Sequence, residues 1–366
     1  MKPKSTFPIF LTVLLLICAT FSVFLCHRLS SDATTSEPYP ILQDSAIEVV
    51  ADSDGDYIKW VDFNITCEAM TAAYELDVAS YDSPVHLNWI ELLAYVGAKC
   101  GGSFDKNSIA LIQKLASELS NKEVTLEELT KDMKYYDYYL EAYEAVLGGM
   151  VGEYEIEQPD DSGNKTWKKV YGLKAFSPIA KGFPYNDYDD FGSSRSYGYK
   201  RQHLGHDMMG QVGTPIIAIE SGYVEALGWN QYGGWRIGIR SFDKKRYYYY
   251  AHLRQNYPYA LNLKEGSVVT AGDVIGYMGH TGYSPVENTN NIETVHLHWG
   301  LQLIFDESQK EGNNEIWIDC YELTKFLYKN RSEAQKKDGT KEWVRIYEMK
   351  DPSGSKYLND KPIPAE

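Results

Sequence analysis

The stretch T-V-H-L-H-W-G, Thr294 to Gly300, sets His296 and His298 one residue apart in a chain with only eight histidines. Through Leu303 the segment alternates, with Val295, Leu297, Trp299, Leu301 and Leu303 on one side and His296, His298, Gly300 and Gln302 on the other. That is the period of a half-buried β-strand. Same-side residues of a strand sit about 6.5–7 Å apart, so two imidazoles can reach one small volume without competing for it. One imidazole can then bind a metal while the other touches what the metal binds. Two ordinary histidines on a solvated face are the alternative, and further ligands must decide between them.

The stretch R-Q-H-L-G-H-D-M-M-G supplies such ligands: His203 and Asp207 are four apart, with Gly205 between them permitting a tight backbone. Catalytic zinc takes three protein ligands of histidine and carboxylate type and leaves a fourth tetrahedral position for water. His203, Asp207 and one histidine of the His296-Leu297-His298 pair complete that set, and the composition fits hydrolysis. The sequence has no H-E-x-x-H, which excludes the helical metalloprotease design; Glu293, the substitute base, reads as a surface loop residue. Two other histidines read as bystanders, His206 turned away into solvent and His280 exposed in a glycine-flanked turn. Gly300 removes a side chain where a substrate backbone would pass, and Tyr248 and Tyr250 either flank the groove or pack across strands.

These residues fall in a region written in short apolar and aromatic runs bounded by Gly, Asn or Asp: T-P-I-I-A-I-E, G-Y-V-E-A-L-G, W-R-I-G-I-R-S and R-Y-Y-Y-Y-A-H-L. The pattern predicts an antiparallel all-β domain over residues 171–328. Upstream, residues 58–152 carry helical spacing. Thr125-x-x-Glu128 is a capping box, followed by Met133, Tyr136, Leu140, Tyr143 and Leu147 until Gly148-Gly149 stops the run; segments around Trp89 to Ala98 and Ile109 to Leu119 look similar. A small all-α domain is expected there, a polar connector over 153–170, and a polar C-terminal tail over 329–366.

With 366 residues, 43% hydrophobic and 14% aromatic, the chain holds enough apolar material for two domains. Its formal charge of -15 argues against a nucleic-acid partner, which needs clustered Lys and Arg. Phe7 to Cys26 is twenty residues without a charge, preceded by Lys2 and Lys4. That length matches a bilayer span rather than a cleaved signal core, so residues 1–28 are expected to be a single-pass anchor with the remainder outside the cytoplasmic membrane. Residues 29–57 read as an extracytoplasmic linker; D-S-D-G-D at Asp52 to Asp56 is a turn rather than a calcium loop. Cys18 and Cys26 lie within the apolar segment. Cys67, Cys100 and Cys320 allow a Cys67 to Cys100 bridge but make no disulfide scaffold.

From about Tyr171 to Phe305 the chain resembles the lysostaphin/LytM-type zinc endopeptidases, which cut peptide bonds in bacterial peptidoglycan. The resemblance rests on H-L-G-H-D-M, G-T-P-I-I-A, S-G-Y-V, G-G-W-R-I-G-I, Y-Y-A-H-L, V-x-A-G-D-V-I-G-Y-M-G-x-T-G and H-L-H-W, in the family's order. It implies the family's duplicated hybrid β-motif, a Zn²⁺ held by His203, Asp207 and His298, and a catalytic pair, His252 and His296, facing the bound water and the substrate. In a regular strand His252 shares its face with Tyr248 and Tyr250, and that strand would set it opposite His296 across a groove. The run Y-G-L-K-A-F-S-P-I-A-K-G-F-P-Y-N-D-Y-D-D-F-G with the helical half is similar to membrane-anchored sporulation enzymes that cut the L-alanyl-D-glutamate bond. Two rival readings are a catalytically silent relative that uses the same fold to bind a partner or activate another hydrolase, and a structural protein of the forespore envelope; in any of these readings an envelope protein is a candidate partner for the helical domain.

Overall fold

A computed structural model of the chain describes residues 57–196, 200–310 and 314–360. The expected anchor, all but the last residue of the linker, Cys18, Cys26 and the Asp52 to Asp56 turn lie outside the described residues. Among the described residues, no helix is long and apolar enough to cross a membrane.

The first four helices of this region start where a short polar side chain can take up their free amide groups. Helix α1 (Cys67–Ser80) is capped by Thr66, α2 (Trp89–Cys100) by Asn88, and α3 (Lys106–Ser120) by Asp105, whose amide in turn donates to the Ser108 hydroxyl. The Thr125/Glu128 capping box forms, but it opens only a short helix, α4 (Leu126–Thr130). The periodic run restarts as α5 (Tyr136–Leu147). The Thr130 hydroxyl bonds back to the Leu126 carbonyl at 2.9 Å, and Tyr135 leaves helical geometry at φ -119°, ψ 5°. Tyr136, Leu140, Tyr143 and Leu147 keep their spacing inside α5 while Met133 falls in the break, so spacing alone does not reveal it.

The polar stretch around Glu157 to Lys165 is a β-hairpin rather than a connector. Strands β1 (Val151–Pro159) and β2 (Lys165–Leu173) pair along their whole length. The Asp160 carboxylate accepts from the amides of Ser162 and Asn164 in the turn, and Gly163 adopts φ +82°. Most of the hairpin faces water, hence its polarity; Tyr154 is buried, with Ile156 and Val170 beside it, against Phe176, Ile217 and Met349.

The second region is built on an eight-stranded antiparallel sheet. Its members are β3 (Asn186–Asp187), β6 (His206–Met209), β8 (Gly222–Asn230), β9 (Gly234–Ser241), β10 (Arg246–Ala251), β11 (Val268–Val269), β13 (His296–Leu303) and β14 (Ile316–Ile318). They run in the order β11-β8-β9-β10-β13-β6-β3, with β14 also on β13. Smaller pairs are β4 (Ser194–Ser196) with β5 (Lys200–Gln202) and β7 (Pro215–Ile217) with β12 (Val274–Tyr277). A short helix, α6 (Tyr321–Leu327), interrupts the expected all-β character.

The polar tail is folded too. Strands β15 (Ala334–Lys336) and β16 (Trp343–Arg345) form a hairpin, β17 (Met349–Lys350) adds a third strand beside β1, and α7 (Pro352–Asp360) follows. Buried Arg345 donates to the Ala271 carbonyl and pairs with Asp273, and Lys174 meets Asp351 at 3.0 Å. A few buried residues thus anchor a segment whose average composition is hydrophilic.

The helical and β regions form one compact unit. Trp89 stacks on Phe326 of α6 at 5.6 Å. Arg246, fully buried in β10, donates to the Glu144 and Ala145 carbonyls at the end of α5 while Glu220 holds its other edge at 2.7 Å. Gly149 is required beside this pair, because a Cβ there would sit 1.7 Å from the Glu220 carboxylate. Cys67 and Cys100 are free thiols, not the bridge their presence allowed.

Candidate active site and metal centre

Strand β13 runs between β6 and β10, and directly paired residues of antiparallel neighbours share a face. His298 is paired with Asp207 on one side and Ala251 on the other, and His296 with Met209. The alternation of Thr294 to Leu303 therefore does place both imidazoles, with Asp207, on one side of the sheet. The opposite side carries Leu297, Trp299 and Leu301, all fully buried.

His203 comes from the turn before β6, held by its amide to the Ser193 carbonyl at 2.9 Å. Its Nε2 lies 3.0 Å from both Asp207 Oδ1 and His298 Nδ1, which are themselves 2.9 Å apart. Among the described residues these three make a cluster of metal-ligating atoms. Zinc bonds of roughly 2.0–2.2 Å in tetrahedral geometry put donors about 3.4 Å from each other, so the triangle accepts the ion with shifts of a few tenths of an ångström. The donor chemistry fits as well. Burial would raise the Asp207 carboxyl, but His203 and His298 outweigh it and hold the group far below the usual carboxylate range. Nδ1 of His203 faces the Asp190 carbonyl at 3.3 Å and its carboxylate at 3.2 Å, which orients the ring with Nε2 toward the site. Gly205 serves the same centre: a Cβ there would lie 2.5 Å from the His298 ring.

His252 and His296 stand beside this triangle, with ring centroids 4.7 Å apart. His252 is 5.7 Å from His298, and His296 Nε2 is 3.7 Å from Asp207 Oδ1. Each ring gives its Nδ1 to a backbone carbonyl, His252 to Thr281 at 3.0 Å and His296 to Thr294 at 2.8 Å. A carbonyl only accepts, so Nδ1 carries the proton and the neutral ring presents Nε2 as a lone pair. Burial, with His296 and His298 close by, pushes His252 well below the ordinary histidine range.

His252 reaches this face by a route that strand alternation does not predict. Strand β10 ends at Ala251, and His252 has φ +61°, in the left-handed region. That twist ends the regular alternation and brings His252 beside His298, on the face that Ala251 and Tyr249 share with His298 and Gly300. Tyr248 and Tyr250 are fully buried in the core instead; Tyr249 lines the groove, 6.0 Å from the His298 ring.

Other expectations also change. His206 does turn away from the site, opposite Trp299, but it is buried rather than solvated and meets Asp187 at 3.0 Å. His280 is half-buried, tied to the Ile292 carbonyl at 2.7 Å. Gly300 makes room for the Trp317 ring and the Leu204 carbonyl, not for a substrate. Glu293 is exposed, on the groove rim.

The groove above the triangle has a volume of about 760 Å³. Its wall contains residues that motif reasoning passed over: Asp190, Arg195, Arg201 and Tyr283. Asp190, thirteen residues before His203, is the last acid of D-Y-D-D-F and carried only a compositional signal.

A family model, Peptidase family M23, matches residues 201–340, the segment that contains all five histidine and aspartate positions. The L-Ala--D-Glu endopeptidase of Bacillus subtilis (strain 168) is 38% identical over 144 residues, covering 39% of this chain and 40% of that protein. Lysostaphin of Staphylococcus simulans is 41% identical over 83 residues, 22% of this chain and 16% of that protein. The solved catalytic domain of lysostaphin from the same organism is 30% identical, covers 38% of this chain and 92% of that one, and gives a TM-score of 0.31. The chain thus spans two fifths or less of the length of these two curated relatives. It carries a peptidase family M23 domain, homologous to those of the L-Ala--D-Glu endopeptidase and lysostaphin.

Proposed function

We propose that the chain is a zinc-dependent endopeptidase that hydrolyses peptide bonds of bacterial peptidoglycan, with the L-alanyl-D-glutamate bond of the stem as its target. The observation that carries this reading is the convergence of His203 Nε2, Asp207 Oδ1 and His298 Nδ1 to within 3.0 Å of one another, under a groove that His252 and His296 also line. A silent relative would need none of these five side chains to meet. The choice of bond is supported by the 38% identity to the Bacillus subtilis protein of that name.

His203, Asp207 and His298 would hold the zinc, which would supply Lewis acidity to the scissile carbonyl and to a water molecule. His252, neutral and aimed by the Thr281 carbonyl, accepts the proton of the attacking water at Nε2. The proton taken by His252 passes on to the leaving nitrogen, so the amine departs neutral, while His296, fixed by Thr294, keeps its Nε2 beside Asp207 at the edge of the site. Asp190 keeps His203 aligned throughout.

The apolar run from Phe7 to Cys26 supports a membrane-tethered enzyme working outside the cytoplasmic membrane, and the similarity noted for residues 171–192 supports a role in sporulation, with an envelope protein as partner for the helical region. Digestion of purified muropeptides followed by mass spectrometry tests the bond assignment. A new D-glutamyl amino terminus is expected; a glycyl or diamino-acid terminus refutes it.

A further inference from the structure

Strands β4 and β5 set Arg195 and Arg201 directly opposite each other. Like charges in that position repel unless each finds a counterion. Arg195 has two, Asp190 and, at 3.6 Å, Asp207. Arg201 forms no ion pair among the described residues, and its buried Nε has no hydrogen-bond partner there. The terminal nitrogen donates to the Tyr283 hydroxyl, and the guanidinium lies 5.3 Å from the centre of that ring.

Tyr283 itself is held at φ +48°, in the left-handed region that residues with side chains rarely occupy. Such a conformation persists only where its surroundings impose it, and it is concentrated at ligand sites. Here it stands the ring between Arg201 and His252, 6.1 Å from the imidazole. One aromatic ring therefore separates an unneutralised guanidinium from the base of the reaction, and all three residues line the same groove. A groove-lining guanidinium without a carboxylate partner of its own among the described residues matches a substrate carboxylate in charge. In a chain of net charge -15, an anionic substrate also needs a local cation to hold it.

We propose that Arg201, positioned by Tyr283, is a specificity-determining residue that binds a free carboxylate of the substrate next to the scissile bond. This assignment rests on the endopeptidase reading above. It makes an acidic stem peptide a better ligand than a neutral glycine chain.

The test compares L-alanyl-γ-D-glutamyl-L-lysine, whose D-glutamyl α-carboxylate is free beside the L-Ala-D-Glu nitrogen, with its α-carboxamide. Binding of both is measured by calorimetry with a zinc chelator present, so that turnover does not intrude. The wild type should bind the carboxylate roughly tenfold more tightly. Arg201→Gln should bind both peptides as weakly as the wild type binds the carboxamide, and Arg201→Lys should recover part of the difference, with unchanged melting temperatures in both variants. Equal binding of the two peptides by the wild type, or a preference that survives in Arg201→Gln, overturns the proposal. Hydrolysis is scored separately after zinc is restored: a retained binding preference with no cleavage supports the anchor and counts against the endopeptidase reading alone.

Discussion

Asp207 and His298 sit directly opposite each other on β6 and β13, and the carboxylate Oδ1 lies 2.9 Å from the imidazole Nδ1. Two of the three donors are therefore fixed by sheet register, and the third, His203, enters from the turn that leads into β6. In a centre built on paired strands the backbone register positions the donors. Its chemistry should then separate cleanly between residues that hold the ion and residues that move protons.

We expect His298→Ala to lose zinc and, with it, activity. His252→Ala should keep zinc while kcat falls roughly 10²–10⁴-fold. Metal analysis of both purified variants, alongside their turnover of a stem peptide, checks the division. Zinc loss in the His252 variant would reverse the assignment.

Gly205→Ala probes the packing of one ligand without touching any donor atom. Its Cβ would meet the His298 ring at 2.5 Å and the Trp299 carbonyl at 2.8 Å, and the left-handed backbone that favours glycine is not required at this position. The variant should lose some stability through the Trp299 contact and bind zinc roughly 10–100-fold more weakly, as competition with a chromogenic chelator on the folded fraction would reveal. Wild-type affinity would mean that His298 can move aside at no cost.

The H-x-x-x-D and H-x-H spacings and the two-residue alternation around His298 are local patterns, so they can be read from the chain and the fold brings their atoms together. The route of His252 cannot, because it depends on a single left-handed residue that ends β10. Periodicity also fails at the hairpin β1–β2 and the segment after Lys329. Both are mostly solvated, and each is anchored by a few distant contacts, Tyr154 to Met349 and Arg345 to Ala271 among them. Asp190, Arg195 and Arg201 escape for the same reason: their importance comes from whom they meet across the groove, not from spacing.

Arg246 is where the helical and β regions are joined. Replacing it by Met leaves Glu220 buried without its cation and the α5 carbonyls without a donor. The loss should be about 3–5 kcal/mol in denaturant unfolding. Hydrogen exchange should show the end of α5 opening first, and a loss under 1 kcal/mol would mean that the apolar contacts alone dock the helices.

Asp351 ties the C-terminal segment to Lys174. Burial raises its carboxyl, but Lys174 and hydrogen bonds from Ser353 and Ser221 prevail and lower it below the ordinary value. A carboxyl depressed in the folded state contributes stability that is fully present above the unfolded pKa, about 3.9, and is lost as pH falls through the folded value. Asp351→Asn should therefore cost about 1–3 kcal/mol at pH 7, and the gap to wild type should close as pH drops below about 3.9. Urea unfolding at several pH values checks this; a gap that stays constant down to pH 2 would exclude the ion pair as its source.

The most direct test of the zinc centre is an anomalous difference map recorded at the zinc edge from crystals of the wild-type protein. One peak is expected, about 2.0–2.2 Å from His203 Nε2, Asp207 Oδ1 and His298 Nδ1, with a fourth position open to the groove. An ion held by other side chains, or Asp207 turned away from the two histidines with no peak between them, would contradict the account.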